Sequence, residues 1–262
     1  MISDIKIVAI MISAILISTS PESGKHIMAA IVLFANPKGG VGKSTLACSL
    51  AAALAVGGVN VRIADLNDSQ HTAARWAETR KLNGYEPEIH VDIAQPARVA
   101  ELSKRCDVLV VDTPCWAVPN TMPMAALATY IVVPTGPNVS LDVVPTLELL
   151  HELRRAGVPD WQIGIALSRF NAPATANEER LVRGVLSEAG FTPLSGVIRQ
   201  MATFSTALAE GLGLSETGRD NLNTEAMTLL AAIHGGLGGA IRRFSRQQTR
   251  TEGQTQKKER ER

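Results

Sequence analysis

The chain has 262 residues, 45% hydrophobic and 19% charged, with a formal net charge of +1. It is long enough for one sizeable α/β domain with a full core, and its near-neutral charge argues neither for nor against a nucleic-acid partner. The three cysteines, Cys48, Cys106 and Cys115, are scattered with no metal-ligand spacing, and read as those of a reduced cytosolic protein without a disulfide framework.

The first stretch, IKIVAIMISAILIS (5–18), is apolar but short of the roughly 20 residues a membrane helix needs. Its basic flank is too weak for a secretory signal. The strand-like run AAIVLFA begins directly after Met28, so residues 1–27 read as an extension upstream of a natural start, or as a misassigned start. The domain is expected over 28–241.

AAIVLFA (29–35) is a continuous apolar run ended by Asn36-Pro37, the pattern of a buried parallel strand. STLACSLAAALAVGG reads as a helix stopped by two glycines, and VNVRIADL as the next strand. HTAARWAETRKLNG is helical, PEIHVDI strand-like, and PARVAELSKR helical with proline at its start. CDVLVVDTP, ATYIVVPT, WQIGIALSRF and FTPLSGVI follow as strands. Helices are expected at SLDVVPTLELLHELRRAG, TANEERLVRGVLSEAG and TEAMTLLAAIHGGLGGAIRRF. This alternation predicts one doubly wound, mostly parallel α/β sheet in a single P-loop NTPase-like domain, with ligands at the carboxyl ends of the strands.

Between the first strand and helix lies NPKGGVGKST (36–45). Backbone N–H groups of a Gly-rich turn, followed by a helix N-terminus, form an anion cradle. Gly39, Gly40 and Gly42 permit the backbone angles and close approach such a cradle needs, with Val41 between them. Lys43 is placed to meet the β- and γ-phosphates of a nucleotide, Ser44 to ligate Mg²⁺, and Thr45 to cap the helix or reach the α-phosphate. Pro37 occupies the first glycine of the standard phosphate-loop pattern, and a second lysine, Lys38, stands at the mouth.

The run KGGVGKST resembles the deviant Walker A loop of the ParA/MinD family of ATPases, and the likeness extends from Ala29 to about Ile241. The resemblance implies ATP and Mg²⁺ as ligands. It also implies a role for Lys38: reaching across a sandwich homodimer to the partner's phosphates. VLVVDTP resembles the family's Walker B strand, so Asp112 would hold Mg²⁺ through a water, and Thr113-Pro114 would begin a switch sensing the γ-phosphate. RIADLNDSQHTAARW resembles the second-strand motif D-x-D-P-Q. Asp65 fits the first aspartate. The second, which positions the attacking water, falls on Asn67 in straight register, or on Asp68 if one residue is inserted; D-S-Q over D-P-Q favours Asp68. Ser168 stands where relatives often carry an adenine-reading asparagine. Arg199 is a candidate DNA contact, its alternative being a surface salt bridge.

The compact layout resembles small ParA proteins that partition plasmids. It implies a slow ATPase, stimulated by a ParB-like or cargo-adaptor partner, that binds DNA non-specifically and resides on the nucleoid in the cytoplasm. Relatives serving conjugative DNA transfer or positioning protein cargo are alternatives. A MinD-like membrane cycle needs a terminal amphipathic helix with an apolar face. Here the end is Gln, Lys, Glu and Arg, and LLAAIHGGLGGAIRRF is Gly-broken, so no stable membrane association is expected. A metabolic enzyme on this scaffold is a further alternative; its iron-cluster form would need a second suitably placed cysteine besides Cys115, and none follows. Residues 242–262 are basic and almost free of apolar side chains, the composition of a disordered tail that either solubilises the chain or touches DNA or an acidic partner.

Overall fold

The structure, a computed structural model, describes residues 29–115, 118–171 and 175–260. The N-terminal extension read from the sequence lies outside them, as do Trp116 and the last two residues. Seven strands form one sheet: β1 (Ala30–Phe34), β2 (Val61–Asp65), β3 (His90–Ile93), β4 (Val108–Asp112), β5 (Tyr130–Thr135), β6 (Ile163–Phe170) and β7 (Val197–Arg199). Their order is β3-β2-β4-β1-β5-β6-β7, and every pair is parallel. The helices are α1 (Lys43–Val56), α2 (Thr72–Leu82), α3 (Val99–Leu102), α4 (Val118–Ala125), α5 (Val144–Arg155), α6 (Thr175–Glu188), α7 (Ala202–Ala209) and α8 (Asp220–Arg260).

The period-2 alternation of a strand explains the two cores. Val32 and Phe34 of β1 enter one core with Leu46 and Leu50 of α1, Trp76 of α2 and Leu229 and Ile233 of α8. Ile31 and Leu33 enter the other, with Leu149 and Leu153 of α5 and Val182 and Leu186 of α6. A strand buried on both faces has no solvent side, so β1, β4 and β5 read as unbroken apolar runs. Each fully buried Leu or Phe contributes about 1.5–3 kcal/mol. The sheet therefore holds the carboxyl ends of β1, β2 and β4 rigidly side by side.

Four elements differ from the sequence reading. FTPLSGVI forms a strand only at its end, in β7, because Gly196 at φ 86° interrupts it and arches over Leu229 of α8. The short helices α4 and α7 carry no clear apolar period and were not expected. The glycines of LLAAIHGGLGGAIRRF do not break α8. A Cβ at Gly236 would collide with the Tyr130 hydroxyl, so this glycine lets the helix lie close on β5. The helix then runs through residues 242–260, where composition points to a disordered tail; Gln, Lys, Arg and Glu are good helix formers. No helix among the described residues is long and apolar enough to cross a membrane.

Candidate functional site

The loop from Asn36 to Gly42 leaves the centre of the sheet and is pinned at its start. Asn36, 1% exposed, donates through Nδ2 to the Pro134 carbonyl and to Thr146 Oγ1, both at 2.8 Å, while its Oδ1 accepts the Lys38 N–H at 2.8 Å. Gly40 and Gly42 have φ of 74° and 96°, the left-handed region glycine occupies without strain. At Gly42 a side chain is excluded twice over, since a Cβ there would lie 2.7 Å from Ser168 Oγ. Gly42 is the N-cap of α1, with no side chain capping the helix and no acidic residue in its first turn. The first amides of α1 therefore stay open to an anion.

Lys43 is buried, and its Nζ donates to the carbonyls of Asn36 at 3.1 Å and Lys38 at 3.0 Å. Cys115 Sγ accepts from the same ammonium at 3.5 Å. The ammonium is thus held inside the loop by backbone oxygens, in place to turn toward a phosphate. Lys38 is half-buried, and Gly39 and Gly40 are exposed, so the mouth of the loop faces outward. Ser44 and Thr45 follow in the first turn of α1.

β2 and β4 are neighbours in register, and Asp65 pairs with Asp112 at their carboxyl ends. The two carboxylates do different jobs. Asp65 Oδ1 accepts the Asn67 N–H at 3.0 Å, and its Oδ2 accepts the N–H groups of Ala73 and Ala74 at 3.0 and 3.2 Å. It closes the turn and caps α2. Asp112 is fully buried, and neither carboxylate oxygen has a hydrogen-bond partner. Burial raises it from the usual 3.8 to about 7; nearby Ser44 pulls it down, the Asp65 charge pushes it up, and Lys43 pulls it down again. Thr113, the next residue, ties the strand end to β1 by donating to the Phe34 carbonyl at 2.8 Å. An orphaned buried carboxylate beside a serine and an open phosphate cradle fits a hard divalent cation with a nucleotide's phosphates.

The Asp65 turn separates the two candidates for the water-positioning group. Asn67 is 8% exposed, and its amide is engaged by Ser69 Oγ at 2.9 Å and by Gln70 Oε1 at 3.2 Å. Asp68 is exposed. His71, which opens α2 at φ 48°, has a buried Nδ1 without a partner, a strained residue the sequence did not single out. Ser168 is 1% exposed and packs under Gly42, so it does not line the cavity of ≈ 220 Å³ beside the loop. Gly136, Arg169, Asn171 and Gln200, at the ends of β5, β6 and β7, line that cavity together with Gly40. Arg169, at φ 64°, donates to the Gly40 carbonyl and ties β6 to the phosphate loop. Arg199 is paired with Glu225 at 2.6 Å, which is the salt-bridge alternative.

An all-parallel sheet with a phosphate loop at its centre and an acidic strand end beside it defines a nucleotide-binding domain of the P-loop class. The chain belongs to the CobQ/CobB/MinD/ParA nucleotide binding domain family, whose model matches residues 32–214. It is 31% identical over 195 residues to the maintenance of carboxysome distribution protein A of Gloeobacter kilaueensis, a match covering 70% of this chain and 83% of that one. Among solved structures it is similar to MinD of Pyrococcus horikoshii complexed with Mg-ADP: TM-score 0.59, 18% identity, 78% of this chain and 95% of that one. It is also similar to apo McdA of Cyanthece: TM-score 0.58, 16% identity, 81% of this chain and 99% of that one. At these identities the structural matches carry the fold alone.

Proposed function

We propose that the chain is a ParA-type ATPase that binds Mg²⁺ and ATP, pairs as an ATP-bound sandwich dimer and positions a cargo. The orphaned, fully buried Asp112 carboxylate beside the open cradle carries this reading. A buried carboxylate without a partner costs stability, and a cation repays it. Ser44 and Asp112 would hold Mg²⁺, which supplies charge neutralisation on the β- and γ-phosphates. The N–H groups from Gly39 to Thr45 would donate to the phosphate oxygens. Lys43 would exchange its two loop carbonyls for phosphate. Asn67, on the buried side of the Asp65 turn, would accept the attacking water's hydrogen bond by releasing the Ser69 hydroxyl or the Gln70 N–H from its Oδ1. Lys38, at the exposed mouth, would meet the partner protomer's phosphates. Hydrolysis is slow because an amide cannot take the water's proton, and a ParB-like or cargo-bound adaptor accelerates it.

The cargo reading draws on the carboxysome-distribution relative, whose name describes the placement of a protein assembly. We therefore favour protein cargo over plasmid DNA, with non-specific nucleoid DNA as the track. The test is phosphate release by purified protein with ATP and Mg²⁺. Slow turnover should appear, stop in EDTA, and vanish in Lys43→Ala and Asp112→Asn. Turnover that survives in both variants, or ATP binding indifferent to Mg²⁺, would refute the assignment.

A further inference from the structure

The Asn36 side chain is specified in one orientation. Its Nδ2 faces the Pro134 carbonyl and Thr146 Oγ1, and its Oδ1 faces the Lys38 N–H, each at 2.8 Å. The carbonyl can only accept, and the N–H can only donate. The Thr146 hydroxyl lies 2.7 Å from the Asp142 carbonyl and 3.1 Å from Thr135 Oγ1. A hydroxyl has a single proton, and at the shorter contact it meets an obligate acceptor. Its oxygen is thus left to accept from Asn36. Asn36, Thr135 and Thr146 are each at most 1% exposed, so bulk water does not replace a partner that is lost. Lys38 is gripped on both sides of its Cα. Asn36 Oδ1 holds its N–H, and the Lys43 ammonium holds its carbonyl at 3.0 Å. When Lys43 turns to a phosphate it releases that carbonyl. Of the two grips, the Asn36 bond then remains to set where the Lys38 side chain points.

We propose that Asn36 and Thr146 are positioning residues for Lys38: Thr146, on α5, fixes the Asn36 amide, and the amide holds the Lys38 backbone so that its side chain is presented to the partner protomer's phosphates. The inference deepens the reading above and rests on it for the role of Lys38. A pair that only filled space would be apolar, because both partners of a buried hydrogen bond can be exchanged for apolar groups at little cost. Here the held group is a backbone N–H, which no substitution removes, so an acceptor must stay beside it. Thr146 lies in the first turn of α5, directly after the turn Val139–Val143, whose Asp142 carbonyl takes its proton. The carboxylate of the same Asp142 accepts the Asn138 N–H at 3.2 Å. The orientation of Lys38 is in this way tied to the start of α5 rather than to the phosphate loop alone.

The test uses the full chain. T146V keeps the shape of the side chain without its hydroxyl, T146A removes the hydroxyl if the valine variant does not fold, and T146S keeps it. Amide hydrogen exchange read by NMR, without nucleotide, reports the first step. In T146V the Lys38 amide should exchange about 5- to 10-fold faster, the effect of weakening one neutral hydrogen bond, while the amides of β1 and α1 keep their protection. Light scattering with a non-hydrolysing ATP analogue reports the second step. Dimerisation of T146V should weaken by about the same factor, and the monomer's affinity for the analogue should fall less. T146S should match wild type in both measurements. A Thr146 that served the fold alone would lower the melting temperature and speed exchange across the whole domain, without singling out Lys38. If wild type does not dimerise with the analogue, the dimer of the reading above falls and this inference falls with it. If wild type dimerises but the Lys38 amide of T146V exchanges as in wild type, or T146V dimerises as tightly, or T146S is as impaired as T146V, only this inference falls.

Discussion

Asp112 gives a stability measurement that needs no nucleotide. Its carboxyl titrates near 3.8 when exposed and at about 7 in the fold, chiefly because burial penalises the charged form. Between those values the folded protein holds a proton that the unfolded chain releases. Stability therefore falls as pH rises through this window and levels off above about 7. At about 1.4 kcal/mol per pH unit, the charged carboxylate costs about 4 kcal/mol at pH 8 and about 2 kcal/mol at pH 5.5. Wild type in EDTA should thus lose about 2 kcal/mol between pH 5.5 and 8, roughly 4–8 °C in melting temperature for a domain of this size.

Asp112→Asn keeps the shape and removes the charge, so its melting curve should lack this loss. The comparison also cancels His234, which burial, and then the Arg242 charge, lower to about 4 in both proteins. Calorimetric melts of the two proteins across pH 5.5–8 are the assay. With Mg²⁺ and ADP at pH 8, wild type should regain stability and the variant should gain little. Parallel curves for the two proteins, without added ligand, would refute the claim that Asp112 is a buried, unpaired carboxylate awaiting a cation.

Light scattering with a non-hydrolysing ATP analogue should show wild type shifting from monomer to dimer, while Lys38→Ala binds the analogue and stays monomeric; Lys43→Ala should fail to bind it. Single-turnover assays should find Asp68→Ala mild and Asn67→Asp faster than wild type, because the Asp65 turn buries position 67 and exposes 68; loss of turnover in Asp68→Ala would reverse the assignment. Arg80 is fully buried, pairs with both oxygens of Glu216 at 2.8 and 2.9 Å and donates to the carbonyls of Gly211, Glu86 and Pro87. Arg80→Met should therefore cost about 3–5 kcal/mol in urea unfolding by orphaning these acceptors.

The phosphate loop was legible because its chemistry is local. A glycine that needs positive φ, a lysine and a helix start lie within ten residues of one strand. Asp112 was legible as a strand-end acid, but its orphaned oxygens were not, since they depend on β2 standing beside β4 and on Asp65 turning away to cap α2. The same turn buries Asn67 and exposes Asp68, a difference that spacing alone does not show. Ser168 stands where the resemblance places an asparagine of relatives; it lies beneath Gly42, while Arg169 and Asn171, at and beyond the irregular end of β6, line the cavity. One residue of register decides such matters, and register is a tertiary fact.

Residues 242–260 show what composition can and cannot decide. Beyond Phe244 the stretch carries no apolar side chain, the composition behind the expectation of a disordered tail. Burial and helicity are separate questions, however. Helix nucleation is the costly step, and α8 brings an already formed, packed helix up to Ile241, with Phe244 seated on Trp161. Each further residue then needs only propagation, for which Gln, Arg, Lys and Glu are well suited, and Gly253 is the weak point. A stretch that is unfit for a core can in this way still continue as a helix, because the order of its backbone is inherited from the packed half of the same helix.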